Sequence, residues 1–120
     1  ENKGYTINDY GCFSEESVDY PDFAHQLAES IQKENSDLGI QFCGTGNGIN
    51  MSANKHSQIR AALCWNPHIA EQARLHNNAN VLTMPARHLE WNEVKEIIDV
   101  FLSSEFEAGR HQRRVNKISI

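Results

Sequence analysis

Nowhere in these 120 residues is there an apolar run approaching the roughly 20 residues that a membrane helix requires. No signal-peptide pattern opens the sequence, no internal repeat recurs, and no low-complexity tract or linker divides it. Cysteine is scarce. Cys12, Cys43 and Cys64 are odd in number and form no C-x-x-C pair, so the reading is a reduced, cytoplasmic protein without a zinc knuckle. Basic charge is short as well: a net charge of −5 excludes bulk nucleic-acid binding and leaves room only for a local cluster. His25, His56, His68 and His88 lack metal-ligand spacing and read as surface or structural.

What is present is an ordinary globular composition, 39% hydrophobic and 22% charged, in a length suited to one domain with a real core. Tyr5-Thr6-Ile7-Asn8-Asp9-Tyr10 alternates aromatic or β-branched residues with polar ones, and the pattern predicts a strand closed by Gly11. From Pro21, the residues Phe23, Ala24, Leu27, Ala28 and Ile31 recur at helical spacing. Ile59–Cys64 and Val81–Met84 have strand length and character. Between them Asn66-Pro67 predicts an N-cap and first-turn proline for a helix through about Leu75. Val94, Ile97, Ile98, Phe101 and Leu102 form the apolar stripe of another helix, and a basic tail follows at about 106–120, helical from Arg110. Strands alternating with helices predict an α/β fold, its parallel sheet covered on both faces.

The richest stretch is Gly39-Ile40-Gln41-Phe42-Cys43-Gly44-Thr45-Gly46-Asn47-Gly48. It reads as strand, glycine loop and helix start, an order that turns several backbone N–H groups toward an anion. It is not a dinucleotide fingerprint, because Ile49 holds the third glycine position, and it is not a P-loop. Cys43 sits at the lip of the loop, where N–H groups make a thiol more reactive, while Cys12 and Cys64 read as packed core. Ligands in parallel sheets bind beyond the carboxyl ends of the strands, where Cys43 falls. His76-Asn77 join it there if their helix runs back across the sheet and a neighbour meets its end. Arg110 and Arg114, four apart, share a helix face and make a fork for one phosphate; otherwise they form a solvated basic face.

Phe42–Gly48, Ala53-Asn54-Lys55, Ile59–Ala62, Ala73–Leu82 and Gly109–Val115, in order, resemble the type B ribose-5-phosphate isomerases and the galactose-6-phosphate isomerase subunits. The resemblance runs from about Gly4 to about Ile118. It implies a Rossmann-like α/β/α sandwich, a homodimer or homotetramer with active sites shared between subunits, a small phosphosugar substrate, and no metal or cofactor. It implies Cys43 as the base moving a proton between C1 and C2, Thr45 as a proton shuttle between the oxygens, and His76 as the ring-opening residue. Gly44, Gly46, Asn47 and Gly48 would hold the enediolate oxygen, Asn77 and Tyr20 the sugar, and Arg87, Arg110 and Arg114 the phosphate. Some relatives use a glutamate just past the loop; Ile49 stands there in this chain, which favours Cys43.

Two departures bear on these expectations. The family opens with a central strand bearing an Asp-His pair, then a helix, and this sequence starts after both, so the domain at 1–120 is expected to be N-terminally incomplete. Met84-Pro85-Ala86-Arg87 replaces the glycine pair usual before that arginine. The expected reaction interconverts ribose and ribulose 5-phosphate through an enediolate. The alternatives are an allose- or galactose-6-phosphate isomerase and a non-catalytic sugar-phosphate-binding subunit.

Overall fold

The computed structural model describes residues 5–8 and 19–119. In order they form α1 (Tyr20–Gln32), β1 (Gly39–Cys43), α2 (Asn47–Ala53), β2 (Ala61–Leu63), α3 (Pro67–Asn77), β3 (Val81–Pro85), a 3₁₀ turn (Ala86–His88), α4 (Trp91–Ser103) and α5 (Arg110–Asn116). The three strands are parallel, in the order β1-β3-β2. The central strand β3 is buried along its whole length, its apolar residues packed in the core and the Thr83 hydroxyl hydrogen-bonded.

Alternate β3 residues feed two cores. Leu82 and Met84 pack with Ala70, Ala73, Val94, Ile97 and Phe101 of α3 and α4. Val81 joins Ala24, Ala28, Ile49 and Ala53 of α1 and α2. Small alanines on three of these helices let them approach the sheet closely, while Phe101, fully buried, fills the space beneath α4. The sheet is therefore covered on both faces. The expected α/β architecture holds.

Local sequence fixes the helix ends. Asn66 Oδ1 accepts the Ile69 N–H at 2.9 Å, Pro67 follows it, and Asn78 ends α3 in the left-handed region at φ 49°. Glu93 Oε1 accepts the Glu90 N–H at 2.9 Å at the start of α4.

Two expectations need correction. Residues 5–8 form no strand, and Asp9, Tyr10 and Cys12 lie outside the described residues. Alternation gives a strand two faces but no hydrogen-bond partner, and among the described residues β1, β2 and β3 pair only with one another. The run at 59–64 shortens to Ala61–Leu63, and side chains take backbone groups at its start. Asn80 Oδ1 accepts the Arg60 N–H at 2.7 Å, and Asn54 both accepts the Ala61 N–H at 2.7 Å and donates to its C=O at 2.9 Å. Asn54 thus occupies the outer edge of β2 as a neighbouring strand would.

Candidate active site

β1 ends at Cys43 in register with Pro85 of β3, so the chain leaves both strands at the same carboxyl rim of the sheet. The Arg87 N–H donates to the Gly44 C=O at 3.1 Å. Its guanidinium rests on Gly44 so closely that a Cβ there would lie 3.0 Å from Cζ. Arg87 is therefore placed on the loop even without a glycine pair before it. On the other side the ring of Tyr20 closes on Gly48, where a Cβ would meet Cζ at 2.5 Å and the hydroxyl at 2.8 Å. Gly46 takes φ 84°, with Leu63 where its side chain would be. Thr45 is exposed, its Oγ1 accepting the Asn47 N–H at 3.3 Å while its own proton stays available.

A buried polar chain props this loop from beneath. Gln41 Nε2 donates to Thr83 Oγ1 at 2.8 Å and to the Ile49 C=O at 3.3 Å. Thr83 in turn donates to Asn50 Oδ1 at 2.7 Å, tying β1, β3 and α2 together below the glycines. Gln41 Oε1 is buried without a partner among the described residues. Cys43 is half-buried against the α1–α2 core. Cys64, as expected, is packed core: it is fully buried, and burial pushes its thiol up to about 12.

The remaining expected residues stand elsewhere. α3 starts beyond the carboxyl end of β2 and runs back, so His76 and Asn77 come down beside the start of β3, at the amino rim. There Asn77 lines a shallow groove of about 310 Å³ with Arg60, Ala61, Ala62 and Ile118. His76 Nε2 faces Glu107 Oε1 at 3.4 Å, and its ring stacks on His111 at 4.3 Å between centroids and 17° between planes. Arg110 and Arg114 lie exposed on consecutive turns of α5, which packs against α3. Partial desolvation, then the nearby His76 and Arg110, hold His111 below the ordinary histidine range.

Within one chain, then, Cys43, Thr45, the glycines, Arg87 and Tyr20 gather at one rim. His76, Asn77, Arg110 and Arg114 gather at the other. The five residues of β1 put roughly 13 Å of strand between the rims.

His76, Glu107 and His111 bring their donor atoms within 4.8 Å of one another, a spacing that invites a metal ion. The stacking opposes it. An imidazole binds a metal in its own plane, and two nearly parallel planes share no nearby point, so one ring would first have to turn.

The profile of the Ribose/Galactose Isomerase family matches residues 1–118. The chain belongs to that family. Among relatives, the ribose-5-phosphate isomerase B of Escherichia coli is 41% identical over 117 residues, covering 98% of this chain and 78% of its own. The solved ribose 5-phosphate isomerase of Thermotoga maritima superposes with a TM-score of 0.94 at 49% identity, covering 98% of this chain and 81% of that one. The ribose-5-phosphate isomerase B of Mycoplasma genitalium, solved with ribulose-5-phosphate bound, gives 0.93 at 44% identity over 98% and 78%.

For this member of the Ribose/Galactose Isomerase family, sequence reasoning missed the residues that support the site. Glu107 is 31 positions from His76, and no spacing rule joins them. Gln41 and Thr83 look like ordinary strand residues until the parallel register puts them side by side. Among the described residues no helix is long and apolar enough to cross a membrane.

Proposed function

We propose that residues 1–120 belong to one phosphosugar isomerase domain that interconverts ribose 5-phosphate and ribulose 5-phosphate, with Cys43 as the proton-transferring base. The observation that carries this reading is the position of half-buried Cys43 at the head of a glycine loop that Arg87 and Tyr20 flank. A thiolate there takes the proton from C2 of the open-chain aldose and returns it to C1 of the enediolate. Loop N–H groups stabilise the oxygen on which charge develops, an effect commonly worth a factor of about 10²–10³. The exposed Thr45 hydroxyl carries the proton between O1 and O2. The relative with ribulose-5-phosphate bound favours a five-carbon substrate over the six-carbon alternative.

The second half of the site belongs, on this reading, to another copy of the chain. His76 opens the sugar ring, Asn77 holds the sugar, and Arg110 and Arg114 clamp the phosphate. These four reach Cys43 only if the amino rim of one protomer meets the carboxyl rim of its partner. The assembly is a homodimer or homotetramer with shared sites.

Cys43→Ala tests the base. Forward turnover should fall by about a thousandfold or more, because the reacting base itself is lost, while phosphosugar binding persists. Exchange of the substrate C–H proton with solvent should vanish with it. Near-wild-type turnover in that variant would contradict the proposal.

A further inference from the structure

His76 is held in place by a turn that precedes α5. The Glu107 N–H donates to the Leu75 C=O at 3.0 Å, which pins this carboxylate residue beside the last turn of α3. Ala108 and Gly109 then take φ values of 58° and 51°, and the chain reverses into α5. A left-handed alanine costs on the order of 1 kcal/mol, so the surroundings must impose it. The outcome of that reversal is local. Glu107 faces the edge of the His76 ring while His111 covers its flat side.

We propose that Glu107 is a positioning residue for ring opening, fixing the tautomer and the orientation of His76; the proposal rests on the role given to His76 above. An imidazole whose Nε2–H points at a carboxylate keeps its lone pair on Nδ1. That nitrogen takes the proton of the C1 hydroxyl as the C1–O4 bond of the furanose breaks. O1 becomes the aldehyde oxygen, and O4 leaves with the bonding pair and takes a proton from water. The imidazolium, facing Glu107, then returns its proton to the hydroxide so formed. The stacked His111 keeps the ring from turning about its own bond to the chain. The logic is that of a buried acid orienting a catalytic histidine. Here the pair is only partly shielded, with side chains 36% and 56% exposed, so the effect is smaller.

The test uses the two substrate directions. Ribulose 5-phosphate is acyclic, so exchange of its C1 proton with deuterated solvent needs the base but no ring opening. Glu107→Gln should lower forward kcat on ring-closed ribose 5-phosphate by about tenfold, a part of what general acid–base catalysis supplies, with KM nearly unchanged. Exchange into ribulose 5-phosphate should stay at the wild-type rate, and Glu107→Asp should recover part of the forward loss. In a His76→Ala background, Glu107→Gln should add nothing. Unchanged forward turnover, equal losses in both assays, or a full additional loss without His76 would each overturn the role of Glu107. Intact forward turnover in His76→Ala would remove the ring-opening reading and this proposal with it. A wild-type protein that neither turns over nor exchanges would overturn the isomerase reading itself.

Discussion

The two rims of the sheet are built by different means. At the carboxyl rim the backbone does the positioning: Gly44 admits Arg87, Gly48 admits Tyr20, and the Gln41–Thr83–Asn50 chain anchors the loop from below. At the amino rim the positioning falls to side chains on two helix ends, His76 with Glu107 and His111, beside the exposed Arg110 and Arg114. The first is a rigid cradle suited to a developing charge. The second is an exposed, mostly basic surface suited to reaching across an interface. On the proposed reading neither half is a whole site, and the parallel topology keeps them apart in one chain.

The comparison predicts unequal responses to mutation. Apart from loss of the base Cys43, the largest concerns the amino rim. Arg110→Ala and Arg114→Ala should each lower kcat/KM for the sugar phosphate by about tenfold to a hundredfold, as loss of a charge-assisted phosphate contact does. Inorganic phosphate should inhibit the variants more weakly, and lysine should restore only part because an ammonium lacks the planar fork. Full efficiency in both alanine variants would reduce α5 to a solvated basic helix. Their melting temperatures should stay near wild type, since both side chains are exposed.

Changes to the backbone cradle and its support at the carboxyl rim should instead cost stability. Gly46→Ala must put a side chain where φ is 84° and Leu63 already stands. A loss above about 1 kcal/mol is expected from denaturant unfolding. Thr83→Val leaves Asn50 Oδ1 without its donor and removes an acceptor from Gln41. That should cost about 1–3 kcal/mol, and a neutral result would mean the chain beneath the loop carries no weight.

The smallest effect is chemical. Iodoacetamide at neutral pH should label Cys43 and spare Cys64, whose thiol is fully buried and held near 12. A Cys12→Ser background isolates the comparison. Because Cys64 titrates well above its unfolded value of 9.0, its contribution to stability is complete below pH 9.0 and is lost as pH rises toward 12.

Much of this was legible in the residues. The stripe from Val94 to Leu102 gave α4, Asn66-Pro67 gave the start of α3, and Phe42–Gly48 gave the loop, because each signal is local. What was not legible depends on partners distant in sequence. Tyr5–Tyr10 has the alternation of a strand, but a ladder needs a neighbour that alternation does not name. The candidate site residues could be listed from the family resemblance, yet their division between two rims follows from the direction in which α3 crosses the sheet. Glu107 escaped notice because only the left-handed turn at Ala108-Gly109 brings it to His76.

Subunit complementation tests the shared site most directly. Cys43→Ala and His76→Ala chains, each nearly inactive on ring-closed ribose 5-phosphate, are co-expressed in equal amounts and all the oligomers are purified together. If each site takes Cys43 from one protomer and His76 from its partner, random pairing restores about one working site in four. Forward turnover near that fraction of wild type is the expected result. Mixed oligomers no more active than their parents would contradict the shared site and return both residues to separate roles within one chain.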